Sequence, residues 1–221
     1  MTCVAPGDAG GVQVWITSVA DALAMPGGFE TLDADDWSHA NRLRQAADRD
    51  RCLAGRVLLR YALSQSVGMG IAPGEWRFRK GPNGKPLVTH NQPPLQFNVS
   101  HSFCCLAVAV AKYWPVGIDI ESLAPENIGR PIDDVLTDRE RAWIYGHPEV
   151  EQAQAFLRLW TIKEACAKAL ALDIVDFRQI EAQITSAPAV HVKGEARTLN
   201  VTLDTVFVDG RPYSLSIAAR C

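Results

Sequence analysis

The chain has 221 residues, of which 48% are hydrophobic, and a formal net charge of −3, a composition typical of globular proteins rather than disordered ones. This charge gives no overall attraction to nucleic acid or to anionic membranes, so any anion-binding site must be a local cluster of basic groups. No apolar run reaches the roughly 18 residues that would span a bilayer, and residues 1–11 lack the basic and apolar regions of a secretory signal. The six cysteines form no CxxC pair. We therefore expect a cytoplasmic protein with reduced thiols and no zinc site.

In the first half, hydrophobic periodicity predicts strands and two helices. Acidic residues in a first turn mark a helix start at Asp33, and apolar residues recur at helical spacing between Asp48 and Ser66. A turn rich in glycine and proline, from Gly81 to Pro86, carries Lys85 on a loop. In chain order we predict a strand over 12–20, a helix over 33–45, a long helix over 48–66, a strand over 76–79 and a long strand-like stretch over 97–111.

The second half shows a similar order of elements. Val116 to Glu121 is apolar and β-branched, which indicates a buried strand with one polar face. Thr137 followed by Glu140 three residues later has the pattern of a capping box at a helix start. We predict helices over 137–145 and 149–172 and strands over 177–184, 199–208 and 213–218. The last two strands would be joined by a tight hairpin at Asp209-Gly210.

The repeated order of elements predicts an α+β fold, built as a pseudo-dimer of two similar α+β halves. Each half would hold a small, mostly antiparallel sheet packed with helices, with boundaries at 1–113 and 114–221. A cleft between two such halves is where small-molecule sites tend to lie. Since one chain would supply both walls of the cleft, we expect a monomer.

Three acidic side chains are candidates for a metal site. Asp119 and Glu121 stand at i and i+2 of the predicted strand, so their side chains share one side and their Cα atoms lie roughly 6.6 Å apart. Trp160, Glu164 and Lys168 share one face of the long helix. Docked beside the strand, that face would add a third carboxylate and an ammonium, and Mg²⁺ takes such oxygen ligands. The alternatives are a solvated edge strand for the two strand acids and an ordinary surface pair for Glu164 and Lys168.

Basic and polar residues of the first half are candidates for an anion site. Arg51 lies on the long helix, Lys85 on the loop, and His101 between two serines in Phe97-Asn98-Val99-Ser100-His101-Ser102. The alternatives are a plain surface hairpin around Lys85 and a hydrogen-bonded structural role for His101.

Four motifs in this order carry a resemblance to a known family: Gly84-Lys85-Pro86, the Phe97–Ser102 stretch, Gly117-Ile118-Asp119-Ile120-Glu121, and Trp160-Thr161-Ile162-Lys163-Glu164-Ala165 with Lys168. Together they resemble the 4′-phosphopantetheinyl transferases, specifically the larger pseudo-dimeric, surfactin-synthetase-activating type that serves carrier proteins of secondary metabolism as well as fatty acid synthesis. Arg51 matches the family's basic helix position. The resemblance implies an enzyme that moves the phosphopantetheine arm of coenzyme A onto a serine of an apo acyl or peptidyl carrier protein and releases adenosine 3′,5′-bisphosphate.

The resemblance also implies roles for individual residues. Those that would bind coenzyme A are Arg51, Lys85, Ser100, His101, Lys163 and Lys168. Those that would hold Mg²⁺, or Mn²⁺ in its place, are Asp119, Glu121 and Glu164. Catalysis would fall to Asp119, Glu164 and Lys168, with Glu164 taking the serine proton directly or through a metal-bound water and Lys168 stabilising the departing bisphosphate. Lys163 lies about 100° round the helix from Glu164 and would reach a different phosphate or a structural partner.

One position departs from the family pattern. The family often has glycine three residues after the second lysine, whereas this chain has Ala171. The sequence therefore leaves open the residue at which the long helix ends. Two other classes of function also remain. One is a non-catalytic module that binds coenzyme A or carrier proteins. The other is a metal-dependent hydrolase that cleaves coenzyme A with water and would release free phosphopantetheine without any carrier.

Overall fold

The computed structural model describes residues 2–4, 11–81, 85–124, 133–185, 188–193 and 199–220. The chain divides into two compact units, Met1–Tyr113 and Trp114–Cys221. Each unit combines small antiparallel sheets with helices, which confirms the predicted α+β class. The pseudo-two-fold relation and the cleft stay predictions. None of the described helices combines the length and the apolar character of a membrane-spanning helix.

The first unit is built on one antiparallel sheet and one long helix. Its strands are β1 (Thr2–Val4), β2 (Val12–Ser18), β3 (Phe78–Lys80), β4 (Pro86–Val88), β5 (Gln96–Ser102) and β6 (Cys105–Ala111). Its helices are α1 (Val19–Leu23), α2 (Ala34–Ala40) and α3 (Ala46–Ser66), with 3₁₀ turns at Phe29–Thr31 and Pro73–Glu75. The main sheet has the order β1-β2-β6-β5, and β3 pairs with β4. α3 packs on β6 and buries the apolar residues Leu58, Leu59 and Leu63.

Arg60 on α3 is fully buried and ties α2 to the core of the first unit. Its Nη2 donates to Asp36 Oδ2 at 2.6 Å and to Asp33 Oδ2 at 2.8 Å, and its Nη1 donates to the carbonyl of Trp76 at 2.6 Å. Asp33 also accepts from the amide of Asp36 and caps α2, which confirms the helix start predicted there. Because a buried cation needs partners, this cluster holds the start of α2 against α3.

Two strand predictions in the first unit extend too far. β2 ends at Ser18 because the Ser18 hydroxyl accepts from the amide of Asp21 at 3.1 Å and begins α1. The strand-like stretch over 97–111 is divided into two strands, because the chain turns at Phe103 and Cys104 and returns as β6, with Ser102 opposite Cys105. No glycine or proline marks that turn in the sequence, so its position could not be found from composition.

The second unit also combines an antiparallel sheet with a long helix. Its strands are β7 (Val116–Ser122), β8 (Ile180–Gln183), β9 (Ala189–Val192), β10 (Leu199–Val208) and β11 (Arg211–Arg220). Its helices are α4 (Asp138–Tyr145) and α5 (Glu149–Leu170), with 3₁₀ segments at Asp133–Val135 and Ile174–Gln179. The sheet order is β10-β11-β7, and β8 pairs with β9. α5 packs on β7 and β11.

Local sequence signals in the second unit are largely confirmed. Thr137 and Glu140 form the predicted capping box at the start of α4. Asp209 and Gly210 both have positive φ, 50° and 74°, as a two-residue type I′ hairpin requires. The strand predicted over 177–184 begins late, at Ile180, because the 3₁₀ segment continues to Gln179.

α5 ends two residues before the predicted position because Ala171 adopts a left-handed conformation, with φ 57° and ψ 37°. The amide of Leu172 donates back to the carbonyl of Ala167 at 2.9 Å, which is the main hydrogen bond of a Schellman cap. Glycine is the usual residue at this position of such a cap because a Cβ atom is unfavourable there. The departure from the family pattern at Ala171 therefore leaves the cap intact but strained.

We expect Ala171→Gly to raise the free energy of unfolding by about 1 kcal/mol, because it relieves a left-handed alanine at an exposed helix end. Urea denaturation followed by circular dichroism measures this change. Ala169→Gly, two residues earlier in regular helix, is the control and should destabilise by about 1 kcal/mol or more. Destabilisation by Ala171→Gly would contradict the conformation described for the cap.

Candidate functional site

The second unit brings β7 into direct backbone contact with α5. At Gly117 a Cβ atom would lie 1.9 Å from the carbonyl oxygen of Ala165 and 2.6 Å from the amide nitrogen of Ala169. Only glycine permits this approach, since any side chain would push the strand away. Because alternate strand residues share one side, Asp119 and Glu121 lie on the same side of β7 as Gly117, the side that faces α5.

Lys168 on α5 joins two of the predicted acids. Its Nζ donates to Asp119 Oδ1 at 2.6 Å and lies 3.5 Å from Glu164 Oε2. Asp119 is 3% exposed to solvent, whereas the relative solvent exposures of the Lys168 and Glu164 side chains are 27% and 23%. The structure thus places together one buried carboxylate, one accessible carboxylate and one accessible ammonium.

The Glu164 carboxyl has a raised pKa. Burial raises the pKa of Glu164, and although the Lys168 ammonium lowers it, the neighbouring Asp119 carboxylate raises it again, so the pKa lies above its ordinary value. A carboxylate with a raised pKa is a stronger proton acceptor than an ordinary one. Glu164 is therefore suited to act as a general base.

Buried hydroxyl groups join α5 to β11 near the acidic side chains. Thr161 Oγ1 on α5 lies 3.0 Å from both Ser214 Oγ and Ser216 Oγ. Ser216 stands opposite Asp119 in the strand register, and Ser214 stands opposite Glu121. The sequence did not single out these three hydroxyls, because their convergence depends on how α5 lies across the sheet.

The acidic cluster provides the kind of donor that a hard divalent cation takes. Within the described part of the chain, no three His, Cys, Asp or Glu side chains converge tightly enough to hold a metal ion, and the Lys168 ammonium contacts both Asp119 and Glu164. Two carboxylates that share one monovalent cation, with the half-buried Glu121 on the same side of β7, fit Mg²⁺ by donor chemistry and charge. The metal assignment of Asp119, Glu121 and Glu164 stays a prediction.

Lys163 has a structural role, and its assignment to coenzyme A needs correction. Its Nζ is buried and donates to Glu140 Oε1 at 2.9 Å, to Glu140 Oε2 at 2.7 Å and to the carbonyl of Ile180. Glu140 Oε1 also accepts from the amide of Ala182 at 2.9 Å. These contacts occupy the donors of the ammonium, so no phosphate can reach it. Of the two roles left open for Lys163, the structural partner is correct.

In the first unit, two of the predicted anion-binding residues line one cavity of about 460 Å³. Arg51 and His101 lie on its wall together with His39 and Arg56. Arg51 also forms an ion pair with Asp48. Guanidinium groups suit bidentate contact with phosphate, so this concentration of basic groups fits a phosphate-bearing ligand.

The two remaining candidate residues of the first unit, Lys85 and Ser100, are next in sequence to residues that line this cavity. Pro86, which follows Lys85, lines it, Ser100 is buried on β5, and Gly84 lies outside the described residues. His39 was not found from the sequence, since its place on the wall depends on how α2 packs against α3.

Comparison with known proteins covers both units. A family model described as the 4′-phosphopantetheinyl transferase superfamily matches residues 115–218. A second model, described as the N-terminal part of 4′-phosphopantetheinyl transferase, matches residues 22–112. Between them they cover the acidic cluster of the second unit and the cavity of the first.

Several curated proteins are similar to this chain. The 4′-phosphopantetheinyl transferase HetI of Nostoc sp. is 32% identical over 158 residues, 70% of this chain and 66% of that protein. The 4′-phosphopantetheinyl transferase gsp of Aneurinibacillus migulanus is 35% identical over 124 residues, 56% of this chain and 49% of that protein. The 4′-phosphopantetheinyl transferase pptA of Paxillus involutus is 30% identical over 210 residues, 86% of this chain and 78% of that protein. The chain thus spans between about half and three quarters of the length of these relatives.

We expect Lys163→Met to lower the free energy of unfolding by about 3–5 kcal/mol, because Glu140 would keep a buried charge without its ammonium. Chemical denaturation measures the change, and the Lys163→Met/Glu140→Gln double variant should recover part of it. Coenzyme A affinity of the folded variant should equal that of the wild type. A stable Lys163→Met variant that binds coenzyme A weakly would restore the original assignment.

The raised pKa of Glu164 predicts a pH-dependent effect on stability. An acid whose folded pKa is raised keeps its proton while the unfolded chain loses it, so stability falls as pH rises from the ordinary value of 4.5 through the folded pKa. Glu164→Gln removes this loss. In the presence of chelator, the stability of Glu164→Gln relative to wild type should increase between about pH 4 and about pH 8 in urea denaturation. A difference that is constant or decreases with pH would contradict the raised pKa.

Proposed function

We propose that this chain, which belongs to the 4′-phosphopantetheinyl transferase superfamily as a member of its larger type, transfers the phosphopantetheine arm of coenzyme A to a serine of an apo acyl or peptidyl carrier protein. The second product is adenosine 3′,5′-bisphosphate. The observation that carries the proposal is the contact of Lys168 with both Asp119 and Glu164 at the junction of β7 and α5. In this proposal Glu164 is the base and Lys168 the phosphate-binding cation, and the two lie one helical turn apart within the region that matches the family.

The reaction is a phosphoryl transfer, in which positioning and electrostatics contribute most of the rate. The serine Oγ forms a bond to the phosphorus next to the pantetheine arm, and the bond from that phosphorus to the oxygen bridging it to the nucleotide breaks. The serine proton passes to Glu164, whose raised pKa favours its uptake. Lys168 donates a hydrogen bond to the departing phosphate and stabilises the charge that develops there.

Asp119 holds the Lys168 ammonium in position, because its buried carboxylate is the closer of the two partners of that lysine. Mg²⁺, or Mn²⁺ in its place, held by Asp119, Glu121 and Glu164, would neutralise charge on the pyrophosphate. Coordination to such an ion would offset part of the raised proton affinity of Glu164, so the serine proton would reach Glu164 directly or through an intervening water.

In the first unit, the proposal assigns the phosphates of the nucleotide to the cavity lined by Arg51 and His101. Arg56 on the same wall would add to the positive field, and His39 would offer a ring N–H donor. Lys85 and Ser100 complete the set by resemblance to the family. A cytoplasmic location, a monomeric state and a place in secondary metabolism are further parts of the proposal.

We expect a purified apo carrier protein, incubated with coenzyme A, Mg²⁺ and this protein, to gain the mass of one phosphopantetheine group in mass spectrometry. Asp119→Ala and Glu164→Gln should reduce the rate by at least about 100-fold, since each removes a charged group at the reacting phosphate. Glu151→Gln, an exposed acid on the same helix, is the matched control and should keep the wild-type rate.

The same assay separates the alternatives. Excess chelator should stop the transfer, and full activity in its presence would contradict the metal assignment. Free phosphopantetheine formed without carrier would favour a hydrolase. Coenzyme A binding with no change in carrier mass would favour a non-catalytic binding module.

A further inference from the structure

Phe103 occupies a backbone conformation that normally belongs to glycine. It is the first residue of the two-residue turn between β5 and β6, and its φ is +53°. Cys104, the second residue, is not among the described residues with positive φ, so only the first central residue of this turn has a positive φ. A positive φ favours glycine because a Cβ atom is unfavourable there. A phenylalanine therefore strains the turn.

Burial of the ring does not account for this strain. The residue is 47% exposed, so a large apolar side chain stands half in water at a position where glycine would serve the turn better. Strained backbone of this kind clusters at binding and catalytic sites. Phe103 directly follows the Phe97–Ser102 stretch, in which the proposed function assigns His101 to coenzyme A.

A second, smaller cavity of about 260 Å³ lies against Phe103. Its wall is mainly apolar and includes Val19, Ala47 and Cys104, with Asp50 and Arg51 as its charged members. Arg51 Nη1 donates to the carbonyl of Phe103 at 3.3 Å.

Arg51 also lines the 460 Å³ cavity described above, so one guanidinium belongs to the wall of both spaces. The larger cavity adds Arg56, His39 and His101 among aliphatic side chains and Asp48, whereas the smaller one adds the phenyl ring, aliphatic groups and Asp50. Of these two cavities, the larger one thus holds the basic side chains other than Arg51, and the smaller one holds the phenyl ring. A nucleotide has the same division, with anionic phosphates at one end and a flat aromatic base at the other.

We infer that Phe103 is the stacking surface for the adenine base of coenzyme A, with Arg51 between the base and the phosphates. The inference rests on the proposed function, because it takes coenzyme A as the substrate, and it makes Phe103 a determinant of nucleotide affinity. Base stacking on an aromatic side chain tolerates an exposed ring, because the base itself covers the face of the ring when bound.

The test measures binding of two fragments of coenzyme A by isothermal titration calorimetry. Adenosine 3′,5′-bisphosphate contains the base, and 4′-phosphopantetheine does not. Phe103→Leu keeps the left-handed backbone and the apolar character but removes the ring. It should bind coenzyme A and the bisphosphate about tenfold more weakly, the effect of losing one stacking contact, while its affinity for 4′-phosphopantetheine stays that of the wild type. Phe103→Tyr, which keeps the ring, should bind all three as the wild type does.

A control separates strain from stacking. Met69 is also large, 53% exposed and left-handed, with φ 62°. Met69→Gly and Phe103→Gly should both raise Tm by a few degrees, but only Phe103→Gly should lose affinity for the bisphosphate.

Unchanged affinity of Phe103→Leu for the bisphosphate would overturn the inference. So would an equal loss for 4′-phosphopantetheine, which would assign the ring to the pantetheine arm. Failure of the proposed function has a different signature, in which the wild-type protein binds the bisphosphate through Phe103 but does not modify any carrier.

Discussion

The close approach of β7 to α5 at Gly117 is the constraint on which the candidate site depends. Helix and strand backbones meet there without any side chain between them, since a Cβ atom would lie 1.9 Å from a helix carbonyl. Two residues further along the strand, the same closeness lets the Asp119 carboxylate reach Lys168 on the helix at 2.6 Å. A wider spacing would admit water between the charges and weaken their attraction, because the effective dielectric constant would rise. The missing side chain at Gly117 is therefore what allows charged groups on two different elements to come into contact.

The negative charges of this site exceed its positive charge, because two carboxylates share one ammonium. Asp119 is buried and strongly paired, while Glu164 shares the same ammonium at a longer distance and keeps access to solvent. Burial and the neighbouring carboxylate together hold the pKa of Glu164 above its ordinary value. An excess of negative charge beside an accessible base suits both a divalent cation and proton uptake. The buried hydroxyls of Thr161, Ser214 and Ser216 hold the helix on the sheet without adding charge.

Each unit also contains one fully buried cation on its long helix, and neither cation serves the proposed chemistry. Arg60 on α3 holds the start of α2 through Asp33 and Asp36, and Lys163 on α5 joins α4 to β8 through Glu140. Each cation is held by carboxylate partners, because a buried charge without a partner is costly. Lys163 and Glu164 are adjacent in sequence. The same turn of α5 therefore carries a lysine that stabilises the fold and a carboxylate of the candidate site.

Local patterns in the sequence were enough to determine the α+β class, the capping box at Thr137, the Asp209-Gly210 hairpin and the shared face of Glu164 and Lys168, because each depends on residues that are close along the chain. Tertiary structure decided what depends on distant residues. The turn at Phe103 carries no glycine signal, so only the pairing of β5 with β6 reveals it. The role of Lys163 was left open by helix geometry and was decided by Glu140, which lies 23 residues earlier in the chain. The ammonium between Asp119 and Glu164 likewise follows from how closely two backbones pack, a distance that no spacing in the sequence contains.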